Sequence, residues 1–331
     1  MATIMPTPAP LVSIVIASYQ HQAYVRQAVE SVLAQTVRDI EVIVVDDGST
    51  DDTPNIVESI RDDRLRLIRL AENRREHARN IGLGLARGRY VAFQNSDDEW
   101  LPEKLARQLN VLESRPELGV CFTEVQLIDQ MGQPAKGTWA DGIFATGETQ
   151  RGANEWLRRL FFSNQFCIIS ALARRNLVDL VGQFRPSLVQ LSDHDLWIRL
   201  ASVAELWVLP EPLSRMRVDG NRNLSAPNRA SATRSFFEMA DVLEHYVRSP
   251  LIERALDIFP ELADAAGYPV SIRKALIART AGQQSQRAHH LFADRVLTKL
   301  IDNPQDRQQL VNVLGSKVIH FFLENRSSFG S

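Results

Sequence analysis

Two apolar, β-branched runs, each ending in a cluster of acids, constrain this chain more than any other feature. Ile40-Glu41-Val42-Ile43-Val44-Val45 leads into Asp46-Asp47-Gly48-Ser49-Thr50-Asp51-Asp52. Arg89-Tyr90-Val91-Ala92-Phe93 leads into Gln94-Asn95-Ser96-Asp97-Asp98-Glu99. Runs of this length and composition suit buried parallel strands, and ligands of open α/β sheets collect at the carboxyl ends of such strands. Carboxylates placed there repel bare phosphates, but they can hold a hard divalent cation that bridges to a diphosphate. The pattern implies metal-assisted handling of a nucleoside diphosphate.

The alternation around these runs predicts the fold class. Val12–Ala17 reads as a first strand, Tyr24–Gln35 as a helix with Val25, Ala28, Val29, Val32 and Leu33 on one face, and Val42–Val45 as a second strand. Asp52-Thr53-Pro54 starts a helix with proline in its first turn. Arg64–Leu70 is a third strand, Glu76–Arg87 a helix rich in small residues, and Tyr90–Phe93 a fourth strand. Strand–helix alternation of this kind calls for a mainly parallel sheet with helices on both faces. A helix over Pro102–Ser114, strands near Gly119–Ile128 and Phe166–Ala173, a helix over Leu196–Ala201 and a strand over Glu205–Leu209 follow. Beyond Ala226 the spacing is helical throughout: Phe236–Val247, Ile272–Thr280, Ala288–Ile301 and Gln305–Asn325, with Asn303-Pro304 capping the last. These patterns divide the chain into a disordered leader over 1–10, an α/β domain over 11–226 and a helical domain over 227–331.

Composition narrows the partners. The 331 residues carry 38 basic and 40 acidic side chains, a formal net charge of -2 that gives no reason to expect nucleic acid. The two cysteines, Cys121 and Cys167, sit in apolar stretches and read as buried free thiols suited to a reducing cytoplasm, with a single disulfide as the alternative. No apolar run reaches the roughly 18 residues of a spanning helix, so membrane contact is expected only at the periphery. No HExxH, G-x-S-x-G or P-loop is present. Gly82-Leu83-Gly84 to Gly88 lies in a helix before a strand, the wrong context for a dinucleotide fingerprint.

The motifs, in this order, resemble the family 2 inverting glycosyltransferases. Val12-Ser13-Ile14-Val15-Ile16-Ala17-Ser18-Tyr19, Ser31–Thr36 and Val44–Asp51 look like that family's opening, and Ala78-Arg79-Asn80, Ala86–Tyr90 and Ser96–Glu99 continue it. Gly182-Gln183-Phe184 followed by Asp193–Leu200 resembles its acceptor-side motif. The resemblance implies a GT-A fold over about Leu11–Ser225, a nucleotide-sugar donor, Mn²⁺ or Mg²⁺, and a glycan or lipid-linked acceptor in bacterial surface polysaccharide synthesis. It assigns Ala17, Tyr19, Asp47, Arg79 and Asp97 to the nucleotide sugar, Asp98 to the metal and Asp193 to catalysis as the general base.

Chemistry supports these assignments beside their plainer readings. Tyr19 can stack on a base, and Asp47 can accept from the N3–H of uracil or thymine, which cytosine lacks; this favours UDP or dTDP and leaves GDP open. The plainer reading is a strand end and an Asp-Gly turn. Asp97-Asp98 alternatively caps the Pro102 helix. Arg79 either reaches phosphates or is a solvated helix charge, and Arg74 or Arg75 could supplement it. Asp193 either takes the acceptor's proton or caps its helix, while Asp195, Trp197 and Arg199 orient that helix and His194 lies on the rim. Asn95, Ser192 and Asp219 depart from the family pattern, and Arg217 is a candidate phosphate contact. A sugar-phosphate nucleotidylyltransferase would need a Gly-rich basic loop where this chain has Ser18-Tyr19-Gln20-His21. A non-catalytic sugar-nucleotide or glycan scaffold is the alternative from another class. The C-terminal stripe Leu310, Val311, Leu314, Val318, Phe321 and Phe322 serves core packing, homo-oligomerisation, acceptor recognition or peripheral membrane docking.

Overall fold

A computed structural model describes residues 8–73, 76–146, 151–219, 223 and 225–315. Arg74, Arg75, the first seven residues of the leader, and Val318, Phe321 and Phe322 of the C-terminal stripe lie outside the described residues. The elements run β1 (Val12–Ser18), α1 (Val25–Leu33), β2 (Ile40–Asp46), α2 (Thr53–Ser59), β3 (Leu65–Arg69), α3 (Glu76–Leu85) and β4 (Tyr90–Asn95). They continue with β5 (Glu99–Trp100), α4 (Lys104–Ser114), β6 (Leu118–Ile128), α5 (Ala153–Phe162), β7 (Leu172–Arg174), α6 (Arg175–Val181), α7 (Ser192–Ala201) and β8 (Glu205–Arg217). The last five are helices: α8 (Arg229–Leu243), α9 (Ala255–Ile258), α10 (Val270–Gly282), α11 (Arg287–Asp302) and α12 (Pro304–Leu314).

Among the described residues the strands form one sheet in the order β3-β2-β1-β4-β7-β6-β8-β5. The first four are parallel, β7 is antiparallel to both neighbours, and β6 and β8 run parallel to each other. The expected mainly parallel mixed sheet is therefore present. Both faces of β1 and β2 are buried, which explains their unbroken apolar sequence. Ile14, Ile16, Val42 and Val44 pack with Val25, Val29 and Val32 of α1. Ile43 and Val45 pack with Ala78 and Ala86. A Cβ on Gly82 would lie 2.4 Å from Val15 Cγ1, so the small residues of α3 serve close helix–sheet approach.

Two sequence expectations changed. The strand near Phe166–Ala173 is a 3₁₀ turn (Ile168–Ser170) followed by the three residues of β7. Conversely, β8 continues through Pro210 and Pro212 to Arg217. The prolines fall where pairing with β6 jumps from Thr123↔Leu209 to Val125↔Ser214, a bulge in which their missing N–H groups cost nothing.

By contacts the chain divides into two compact units. One holds the residues up to Ala153 together with Ser163–Pro227; the other holds Asn154–Phe162 and the residues from Asn228 onward. Helix α5 lies at the heart of the second unit. The Phe161 ring meets those of Tyr246, Phe259 and His289 at 5.0, 4.9 and 5.4 Å. Tyr246 donates its hydroxyl to Leu157 O at 2.5 Å, and His289 Nε2 sits 2.8 Å from Phe161 O. Helix α12 is capped by Asn303, whose side chain accepts from the N–H groups of Gln305 and Asp306, as the Asn-Pro signal predicts. Among the described residues no helix is long and apolar enough to cross a membrane.

One core group stands out chemically. Lys104 of α4 is fully buried, with Nζ 3.9 Å from the centre of the Trp100 ring and 2.9 Å from Gln108 Oε1. Burial pushes its pKa from 10.5 down to about 7. Between those values the folded protein binds fewer protons than the unfolded chain, so rising pH stabilises it. Urea unfolding at pH 7 and pH 9.5 should show wild type gaining about 2–3 kcal/mol relative to Lys104→Met over that interval. A difference that does not move with pH would mean Lys104 titrates normally.

Candidate active site

Strand register brings the motifs together. Ala17 lies opposite Val45 of β2 and Asn95 of β4, so the loops after β1, β2 and β4 open at one edge of the sheet. The first acidic cluster is spent largely on building its own loop. Asp46 accepts from Ser18 Oγ at 3.2 Å, Ser49 Oγ at 2.6 Å and Ser49 N at 3.0 Å. Asp51 accepts from Thr53 N and Gln22 N at 3.0 and 3.2 Å. Asp47 is buried, with its N–H on Ser18 O at 2.8 Å. Tyr19 is 44% exposed.

Sequence reasoning missed the residue that joins these loops. Gln20 adopts φ +56°, and its carboxamide accepts from the N–H groups of Thr50 and Asp51 at 3.0 Å while donating to Thr50 Oγ1 at 2.9 Å. His21, also not singled out, sits 2.7 Å through Nδ1 from Ser96 Oγ and 4.0 Å through Nε2 from Asp97 Oδ2. A loop glutamine or histidine carries no local pattern that marks such a partner.

The second cluster holds the adjacent carboxylates. Asp98 is buried; Oδ1 accepts from Arg217 N at 2.7 Å and Oδ2 from Asn95 Nδ2 at 2.8 Å. Burial and then the charge of Asp97 push the Asp98 carboxyl well above the usual range. Burial also raises Asp97, against the pull of His21 and Arg217. Each Asp98 oxygen keeps a second lone pair. Two hard carboxylates driven toward protonation by their surroundings form a donor set suited to Mn²⁺ or Mg²⁺, which neutralises such a pair. Among the described residues no cluster of three or more acidic, histidine or cysteine ligands exists.

One arginine differs from expectation. Arg217 is only 1% exposed, and its side chain is committed inward. Nε donates to Asp97 O at 2.8 Å, Nη1 to Asp129 O and Gln130 O at 2.7 and 3.0 Å, and Nη2 to Glu99 Oε1 at 2.6 Å. It therefore supports the acidic loop from beneath and is not a phosphate contact. Arg79 is half-buried, with Nη2 3.3 Å from Asn95 Oδ1 and its guanidinium 6.0 Å from the Phe184 ring centre. Asn95 thus connects Arg79 to Asp98 through a donor that an aspartate lacks. Asp219 accepts from Tyr24 OH at 3.1 Å and also from Gln130 Nε2.

Asp193 stands in the first turn of α7 and is half-buried. Oδ1 accepts from His194 N at 2.8 Å, and Oδ2 from Asn164 Nδ2 at 3.1 Å. Asn164 Oδ1 accepts from Phe166 N at 3.1 Å, which fixes the amide so that its donor end faces Asp193. Burial and then the charge of Asp98 raise the Cys167 thiol, with Asp193 and Asp97 adding to the effect. Helix α7 is locked in place: buried Asp195 pairs with Arg185 at 3.1 Å and Arg199 at 2.8 Å, and Arg199 reaches the carbonyls of Val181, Gly182 and Gln183. Asn80 clamps Phe184 through both its N–H and its C=O at 3.1 and 2.8 Å. His194 is wholly buried in this packing, so it is not the rim residue expected. Cys121 and Cys167 are free and buried.

Residues 13–170 match the family model described as Glycosyl transferase family 2. These residues form a family 2 glycosyltransferase domain. An uncharacterized glycosyltransferase of Rickettsia prowazekii is 30% identical over 214 residues, 63% of this chain and 64% of that protein. The chain thus spans less than two thirds of that relative. A stretch of 105 residues is 43% identical to the Escherichia coli protein named UDP-Glc:alpha-D-GlcNAc-diphosphoundecaprenol beta-1,3-glucosyltransferase WfaP, covering 31% of this chain and 42% of WfaP. The solved structure of Staphylococcus aureus TarS residues 1–349 in complex with UDP-GlcNAc matches with a TM-score of 0.60 at 19% identity, over 91% of this chain and 78% of that one. The glycosyltransferase domain has the GT-A fold.

The Arg217 arrangement generates a stability prediction. Arg217→Met strands Glu99 as a buried charge without its close partner. Breaking a pair in this way costs about 3–5 kcal/mol, so urea unfolding should shift by that amount. Normal stability with weakened nucleotide binding would return Arg217 to the role of a phosphate contact.

Proposed function

We propose that the protein is a metal-dependent inverting glycosyltransferase. It moves a sugar from a UDP or dTDP donor to a hydroxyl of a glycan or lipid-linked acceptor in surface polysaccharide synthesis. The observation that carries the reading is the adjacent pair Asp97 and Asp98, with Asp98 buried and held by Arg217 N and Asn95 Nδ2, at the sheet edge where Ala17 and Asn95 are in register. The domain's family and the printed donor and acceptor of WfaP support the reaction class and the lipid-linked acceptor.

In this reading Tyr19 stacks on the base, Asp47 accepts the base N3–H, and Ala17 lines the pocket beside them. Asp97 meets the ribose or the metal, Asp98 holds the cation, and Arg79 reaches the diphosphate or the base. Bound Mn²⁺ or Mg²⁺ supplies charge neutralisation to the departing diphosphate. Asp193, oriented by Asn164, takes the proton from the acceptor hydroxyl. The acceptor oxygen bonds to the anomeric carbon from the side opposite the diphosphate, whose bond breaks, and the configuration inverts.

Calorimetry tests the donor half. UDP should bind in Mn²⁺ and not in EDTA, and Asp98→Asn should remove that difference. UDP should bind roughly tenfold or more tightly than CDP, because a carboxylate facing cytosine loses its hydrogen bond at a cost of about 1–3 kcal/mol. Equal binding of the two nucleotides means that Asp47 does not read the base, and binding unchanged by EDTA removes the metal from the reading.

Kinetics test the base. Asp193→Asn should keep donor affinity and lose transfer by about 10²-fold or more. Near-normal transfer by that variant would leave Asp193 a helix cap only.

A further inference from the structure

The opposite end of the sheet carries a cavity of about 520 Å³ lined by Gly88, Arg89, Pro116, Arg174, Arg175, Asn176 and Asp179. Tyr90 at the amino end of β4 pairs with Arg174 at the carboxyl end of β7, so the cavity lies one strand length from the loops that carry Asp47 and Asp98. Its volume falls in the range of small-molecule sites, about 300–1,000 Å³.

The arginines are held in place but not exhausted. Arg174 donates from Nε to Leu118 O at 2.8 Å, from Nη1 to Tyr90 OH at 3.1 Å and from Nη2 to Leu112 O at 2.5 Å. The Tyr90 ring carries two guanidiniums, Arg174 at 5.6 Å and Arg89 at 5.3 Å from its centre. Arg175 spends Nε on Asp179 at 2.8 Å and Nη1 on Ala86 O. Among the described residues nothing accepts from Arg175 Nη2, from Arg89 Nε or Nη2, or from the Asn176 amide. The lining carries three guanidiniums and one carboxylate, Asp179; nearby, Glu113 lies 3.1 Å from Arg89, and Glu117, which feels the charge of Arg174, is paired with Arg115 at 3.0 Å. The cavity is net positive, and rigid guanidinium forks match phosphate oxygens in geometry.

We propose that this cavity is a second anion site that takes a phosphate group, carried by a free phosphate compound or by a phospholipid headgroup. The site is independent of the donor reading, since it shares none of its residues.

The test uses the full chain in EDTA, where the donor site lacks its cation. Inorganic pyrophosphate is titrated calorimetrically, and flotation is measured with phosphatidylglycerol vesicles against phosphatidylcholine vesicles. Arg89→Ala changes a side chain that is 61% exposed, so it leaves the fold intact; Arg175→Gln is the second variant. At least one probe should bind, weakened on the order of tenfold by either variant and unchanged by Asp98→Asn. Pyrophosphate binding identifies a free phosphate compound, and binding selective for phosphatidylglycerol identifies a headgroup. No binding of either probe, or binding that both arginine variants leave unchanged, overturns the proposal.

Discussion

A buried guanidinium underlies the site. Arg217 gathers the carbonyls of Asp97, Asp129 and Gln130 and the carboxylate of Glu99 around one charge. Its own backbone N–H meets Asp98. In the low dielectric of a core such an ion pair is tolerable only when every remaining donor is satisfied. That requirement fixes the end of β8, the turn after β6 and the acidic loop after β4 relative to one another. Asp97 and Asp98 can be held close, despite their repulsion, because the backbone that carries them has little freedom to move apart.

The same logic organises the other loops. Asp46 and Asp51 hold their own turn together, so these two acids of the first cluster contribute shape. Gln20 then ties this turn to the end of β1. On the acceptor side, Asn80 and Arg199 bind the 182–184 loop from two helices, and Asp195 anchors Arg199. Asp193 therefore projects from a helix whose start is fixed from both sides, while Asn164 sets the orientation of its carboxylate. Rigid elements with short hydrogen-bonded loops suit a site that must align two substrates.

Strands β1 to β4, their helices and the family were legible in the sequence because they rest on local signals. Periodicity marks buried faces, and Pro or Asn at a helix start marks a cap. Acids at the end of an apolar run mark a strand's carboxyl edge. The sequence alone therefore determined which residues stand at that edge, from Ala17 and Asp47 to Asp98. Tertiary structure decided what sequence spacing does not encode: that Arg217 turns inward, that Arg79 meets Asn95, that His194 is buried and that Asn164 faces Asp193. It also decided that α5 packs with helices more than 70 residues further along the chain, and that β8 passes two prolines. The physical reason is common to all of these. A long polar side chain or a proline is compatible with several environments, and only the partner that distant segments bring to it selects one.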